Sequence, residues 1–310
     1  MTLIDLTARP TTSDRLSGLP VAIIGAGPVG LAAAANLVER GIEVVIFEAG
    51  AEAASAIREW GHTRLFSPWR HLVDPAAVRL LTAAGCSLPS PDAAPTGDAL
   101  VTEYLEPLAR LDEIAQRIRF NTRVTDVARE GMDRTRSAGR ATTPFVLRVR
   151  GADGGVSEVA ARSVIDASGT WRSPNALGSN GLELMGLPDI RDFVVGALPD
   201  VLGDDRARFA GRRVVVVGAG HSAANTLLAL VALAESEPGT RVTWVIRNAR
   251  AARVTSSEAD ELAGRARLGG RVEAAIRAGS IEVVDRFEIL RAERADERAR
   301  LVGRRGDAIQ

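Results

Sequence analysis

Three glycines and one acid are the residues of this chain best suited to chemistry. Gly25, Gly27 and Gly30 have the spacing G-x-G-x-x-G, and Glu48 follows about 20 residues after the last of them. Gly25 permits a tight turn, Gly27 lets a pyrophosphate approach the backbone, and Gly30 lets a helix pack closely on a strand, with Pro28 inside the turn. Elements must hold these residues in place. The apolar run Val21 to Ile24 suits a strand covered on both faces, and the Ala-rich run Leu31 to Val38 suits a packed helix whose N-terminus faces the phosphates. A second strand, Glu43 to Phe47, delivers Glu48, whose carboxylate is expected to accept from ribose hydroxyls. A glycine spacing alone also occurs as an ordinary turn. With strand, helix and acid together it reads as a dinucleotide site.

The pattern occurs twice. Arg213 to Val217 is again an apolar strand feeding Gly218, Gly220 and Ser222, with Ala223 where the third glycine would stand and an Ala/Leu helix running to Leu233. Alanine there is still compatible with close helix packing. The following strand, Arg241 to Ile246, ends in Arg247 rather than an acid, with Arg250 close behind. An arginine at this place pairs with the 2′-phosphate of NADP, where an acid would repel it. The alternative is a solvated side chain, since the chain is rich in arginine.

Composition narrows the classes. At 310 residues the chain has length for about two domains, each with its own core. Thirty-nine basic residues balance 39 acidic ones, so no overall field draws it to nucleic acid or to an anionic membrane, and small molecules are the expected partners. No apolar run approaches the roughly 20 residues of a membrane span. The leader Met1 to Pro20 lacks a long apolar stretch and reads as a loosely held tail, so a cytoplasmic location is expected. A homodimer is compatible with the sequence. The single Cys86 reads as a small apolar filler and excludes a Cys-x-x-Cys dithiol. No lysine occurs, every long basic side chain being arginine, and no metal-ligating cluster stands out.

Between the two glycine motifs the reading is more open. Ala51 to Ile57 is expected to be helical. Glu59 to His71 gathers Trp60, Trp69, His62 and His71, a density that suits the wall of a flavin or substrate pocket or, alternatively, a loop pinned by buried tryptophans. Pro89 to Gly97 reads as a surface loop. Leu100 to Ile118 is helical in pattern, interrupted by Pro107 and capped by Thr96 or Asp98. Phe120 to Val127, Phe145 to Val149 and Val156 to Ala160 alternate as strands of a small antiparallel layer, with Gly131 to Thr143 a hairpin loop. Ser163 to Asp166 is a short strand leading into the small-residue turn Ala167-Ser168-Gly169, where backbone contact with a cofactor leaves no room for bulk. Beyond the second motif, Glu258 to Ile276 reads as helix, Ile281 to Val284 as strand, and Phe287 to Val302 as strand or hairpin.

Gly25 to Gly30 with Glu48, then Asp166-Ala167-Ser168-Gly169, then the second glycine motif, together resemble the FAD-dependent pyridine-nucleotide oxidoreductases, nearest to their flavin monooxygenase-like branch. The resemblance runs from Pro20 to about Arg300. It implies an α/β fold of two Rossmann-like dinucleotide-binding domains and a small antiparallel β layer. An FAD domain would span residues 1–170 and an inserted NAD(P) domain 171–300, with 301–310 starting the return to the first. In the resemblance the first motif holds the FAD pyrophosphate, the Asp166 to Gly169 turn, with Ala167 and Gly169, marks the crossing between domains, and the Val124 backbone meets the adenine. FAD and NADPH are the implied cofactors. Relatives close the FAD domain with a strand and a Gly-Asp turn. Gly306-Asp307 lacks the preceding apolar strand, so a chain short of that closing segment is expected. The monooxygenase fingerprint Phe-x-Gly-x-x-x-His is half present, with Phe193 and Gly196 but Asp200 in place of the histidine. The implied activity is therefore hydride transfer from NADPH to FAD, with electrons passed to oxygen or an organic acceptor. A flavin reductase or diaphorase without oxygenation, and a non-catalytic nucleotide-binding or redox-sensing protein, are the alternatives. No catalytic acid or base stands out.

Overall fold

A computed structural model describes residues 15–249, 263–306 and 308–309. The chain divides into two compact units, one of residues 1–61 and 68–170, the other of residues 62–67 and 171–310.

The first unit is built on a parallel sheet in the order β3-β2-β1-β7, formed by β1 (Val21–Ile24), β2 (Val44–Phe47), β3 (Ile118–Arg119) and, later in the chain, β7 (Ser163–Asp166). Parallel strands need crossovers, and the helix Pro28–Val38 supplies the first. Both central strands are continuous apolar runs, as expected of strands covered on two faces. A second layer, β4 (Arg123–Arg129), β5 (Phe145–Arg150) and β6 (Val156–Ala161), is antiparallel in the order β4-β5-β6. Its alternation aims Leu147 and Val149 inward, with Arg148 and Arg150 outward. Leu147, Val149 and Ala161 share a core with Ala22, Val45 and Phe47, so this layer covers one face of the parallel sheet. Burying a side chain the size of Phe47 contributes about 1.5–3 kcal/mol.

Three segments differ from expectation. Phe120 to Val127 is not one strand, because Asn121 takes a left-handed φ of 50° and turns the chain out of β3 into β4. Of Ala51 to Ile57 only the short helix Ser55–Arg58 forms, after Ala54 at φ 55°. The helical stretch before β3 starts at Gly97, with Thr96 Oγ1 accepting from the Ala99 N–H at 3.1 Å, and widens into a π turn over Val101–Leu105 just before Pro107.

The second unit repeats the plan. Here β8 (Arg213–Val217), β9 (Arg241–Val245) and β10 (Glu282–Val284) form a parallel sheet in the order β10-β9-β8. On its outer edge β8 pairs with no strand among the described residues. The helix His221–Ser236 buries Ala224, Leu227, Leu230 and Leu233, a single stripe at three-residue spacing, against Val216, Val242 and Trp244. The antiparallel layer of this unit is β11 (Phe287–Ala295), β12 (Arg298–Arg305) and β13 (Ala308–Ile309). Residues 301–310, expected to begin a return to the first domain, thus carry the end of β12 and β13, and β12 pairs with β11. The helix expected from Glu258 is described from Ala263 to Arg277, and its first residues lie outside the described ones. Asp307, Arg250 and most of the leader also lie outside. No described helix is long and apolar enough to cross a membrane.

Candidate functional site

Both glycine motifs form the same local structure, a parallel strand whose C-terminal end turns sharply into a helix N-terminus. At the first turn Gly25 has φ 100°, and a Cβ there would lie 2.7 Å from the Ala167 carbonyl oxygen. A Cβ at Gly30 would lie 2.0 Å from the carbonyl oxygen of Gly25 and 3.4 Å from Cγ2 of Ile23, so this residue does allow close packing of helix on strand. Gly27 is different. Nothing approaches its hypothetical Cβ within 4 Å, which leaves open space where a phosphate would meet backbone. Gly27 caps the helix, and Pro28 occupies its first turn, where its missing N–H costs nothing.

Glu48 follows β2 and is only 8% exposed. Its Oε2 accepts from the Ala26 N–H at 2.8 Å, inside the glycine turn, and its Oε1 accepts from the Gly50 N–H at 2.7 Å and the Ser55 hydroxyl at 3.1 Å. The Ala54 N–H donates to the Ala26 carbonyl at 3.0 Å, so the loop after β2 is laced back onto the turn. Neither Gly50 nor Ser55 stands out in the sequence, where nothing marks a backbone N–H two residues on or a hydroxyl seven residues on as a donor to Glu48. On the other side, β7 leads into the Asp166 to Gly169 turn. Asp166 Oδ1 accepts from the Ser168 hydroxyl at 2.6 Å and its N–H at 3.0 Å, and these bonds hold the carboxyl below its ordinary pKa. Gly169 needs its positive φ of 69°. Val124 lies in β4 at a bulge and packs partly buried on the core shared by the two layers.

At the second turn Gly218 has φ 120°, and neither it nor Gly220 has a neighbour within 4 Å of a hypothetical Cβ. Trp244 on β9 donates its indole N–H to the Gly218 carbonyl at 2.7 Å, fixing the turn from the adjacent strand. This role was not visible in the sequence. Ser222 is exposed on the first turn of the helix, with Ala223 next to it. Gly25 donates to the carbonyl of Phe47, and Gly218 to that of Val245, so the residue equivalent to Glu48 is Ile246, which is buried. Arg247 stands one residue further. It is exposed, donates from Nη1 to the Ser179 carbonyl at 2.8 Å, and borders a cavity of about 200 Å³ lined also by Leu177, Val217, Val245, Asn248 and Phe287. The cavity lies at the C-terminal ends of β8 and β9, where ligands of open parallel sheets bind.

The packing of the tryptophan-rich stretch accords with a pinned loop. Trp69 is buried edge-on to Tyr104, with ring centroids 6.5 Å apart, and Trp60 packs its ring against Gly97. His62 and His71 are exposed, while Phe66 meets His221 edge-on at 5.3 Å in the second unit. Asp200 accepts from the backbone of Gly203 and Asp204, which makes it a turn former, and Phe193 lies beneath the Arg294 guanidinium. Among the described residues no group of His, Cys, Asp and Glu is arranged to hold a metal ion.

Comparison with known proteins agrees with this geometry. A search of the curated proteins finds no match. Among solved structures, bacillithiol disulfide reductase Bdr (YpdA) from Bacillus cereus superposes with a TM-score of 0.65 at 21% identity, over 92% of this chain and 75% of that one. An ornithine N-hydroxylase from Kutzneria sp. 744, solved with reduced FAD, NADP+ and L-ornithine, has a TM-score of 0.61 at 17% identity over 94% and 78%. A flavin monooxygenase from Stenotrophomonas maltophilia, solved as a mutant, has a TM-score of 0.54 at 26% identity over 91% and 75%. Disulfide reductases and monooxygenases thus share this two-domain fold. The family described as pyridine nucleotide-disulphide oxidoreductase matches residues 22–310, and the chain belongs to it.

Proposed function

We propose that the first unit binds FAD and the second NADPH, and that the protein is an oxidoreductase of monooxygenase-like type, taking hydride from NADPH to the flavin and passing electrons to oxygen or an organic acceptor. The observation that carries this is the pair of glycine turns on equivalent strands, one beside Glu48 and the other beside Arg247. The residues fit both cofactors. Open space at Gly27 and at Gly218 and Gly220 admits a pyrophosphate to the backbone N–H groups of a helix N-terminus. Glu48 faces the place of the FAD ribose. In the second unit the apolar Ile246 replaces the acid that would repel a 2′-phosphate, and Arg247 supplies a charge to pair with it. The flavin, when bound, supplies the hydride and electron chemistry, and the chain supplies binding and orientation. The single Cys86 gives this chain no internal dithiol, which weighs against disulfide reduction through its own cysteines.

The test is purification. The proposal expects a yellow protein that retains FAD on gel filtration and is bleached by NADPH under anaerobic conditions. A colourless protein that binds nucleotides without FAD would favour the non-catalytic alternative, and NADPH consumption with no oxygenated product the diaphorase alternative. Gly27→Val, which fills the open space without touching the core, is expected to abolish FAD retention while leaving the circular dichroism spectrum unchanged. Full flavin occupancy in that variant would remove the first turn from the site.

A further inference from the structure

We propose that Ser55 is a positioning residue that makes Glu48 a reader of one ribose hydroxyl of FAD rather than two, an inference that rests on the first unit being the FAD site. An ionised carboxylate offers about four acceptor positions and no donor. Three at Glu48 are filled by the protein, from Ala26 on Oε2 and from Gly50 and Ser55 on Oε1. Because the carboxylate only accepts, the Ser55 hydroxyl must donate, and both lone pairs of Oε1 are engaged. One position on Oε2 remains.

The surroundings keep it so. A Cβ at Gly50 would lie 2.4 Å from Ser55 Oγ, so the glycine lets the hydroxyl and the backbone N–H reach Oε1 together. Ser55 opens its short helix directly after Ala54, whose left-handed φ of 55° and bond to the Ala26 carbonyl aim the next residue back at β2. A vicinal diol placed against this carboxylate finds one acceptor, and its other hydroxyl contributes little.

The experiment uses the full chain freed of flavin and titrated, by flavin fluorescence, with FAD and with its 2′-deoxyadenosine and 3′-deoxyadenosine analogues. In the wild type one analogue is expected to bind within twofold of FAD and the other about tenfold more weakly, the size of one hydrogen bond to a charged acceptor. In Ser55→Ala the freed position on Oε1 takes the second hydroxyl, so the two analogues are expected to come within twofold of each other. Ser55→Thr, which keeps the hydroxyl, is expected to restore the difference. Equal weakening of both analogues in the wild type, or an unchanged ratio in Ser55→Ala, overturns the proposal alone. Failure of the wild type to bind FAD overturns the reading beneath it as well.

Discussion

Gly30 and Ala223 occupy the same place in two copies of one motif, and the two positions differ in the space around them. In the first unit β1 has neighbours on both edges, β2 and β7, and the turn after β7 brings the Ala167 carbonyl onto Gly25. The turn is closed from both sides, and any added carbon at Gly25 or Gly30 strikes backbone. In the second unit β8 has β9 on one edge alone among the described residues, and Gly218 has open space around it. The same spacing of small residues thus serves two demands. In the first turn Gly25 and Gly30 relieve crowding within the fold and only Gly27 is open, whereas in the second turn Gly218 and Gly220 are both open.

The largest test of this contrast is stability. Gly30→Ala is expected to destabilise by the upper part of the about 1–3 kcal/mol that overpacking costs, although alanine is the better helix former. Ala223→Gly is expected to cost no more than about 1 kcal/mol, its loss of helix propensity. Urea denaturation of both variants checks this, and a neutral Gly30→Ala would break the comparison. Next comes coenzyme choice. Arg247→Ala removes a charged hydrogen-bond donor worth about 1.5–3 kcal/mol and is expected to weaken NADPH tenfold to a hundredfold while leaving NADH almost unchanged. Equal losses for both coenzymes, or none, would remove Arg247 from the second site.

The smallest effect concerns the turn that closes the first site. The Ser168 hydroxyl, then its N–H, hold Asp166 below its ordinary pKa of 3.8. A carboxyl depressed on folding stabilises fully above its unfolded pKa, and that contribution is lost as pH falls through the lower folded value. Ser168→Ala is expected to move the Asp166 titration back up toward 3.8, so that acid begins to weaken the turn at higher pH. A carbon-detected NMR titration reads the shift, which is small because Asp166 is exposed.

Elements whose signal is local were legible in the sequence. The glycine spacings, the apolar runs of β1, β2 and β8 and the alternation of β5 each state their own environment within a few residues. Arg247 was placed against Glu48 by analogy, yet strand register puts Ile246 there and Arg247 one residue on, which only the pairing of β8 with β9 reveals. Trp244 acts on a glycine turn 26 residues away, and Gly50 and Ser55, two and seven residues from Glu48, belong to no residue pattern that marks them as its donors. Aromatic density left a pocket wall and a pinned loop both open, and the packing of buried Trp69 on Tyr104 and of half-buried Trp60 on Gly97 accords with the pinned loop.

The edge of β8 that pairs with no strand among the described residues also bears on how the protein behaves at high concentration. A strand with one free side presents unpaired amide and carbonyl groups, a template on which another chain can add. The sequence there is four consecutive valines, among the strongest strand formers, and Val215 is 48% exposed. Natural edges are blunted by charge, proline or a bulge, and this one has only Arg213 at its start. A Val215→Lys substitution on this edge is therefore expected to lower any light scattering that the wild type gains as its concentration rises, and equal scattering from the two would show that β8 does not associate.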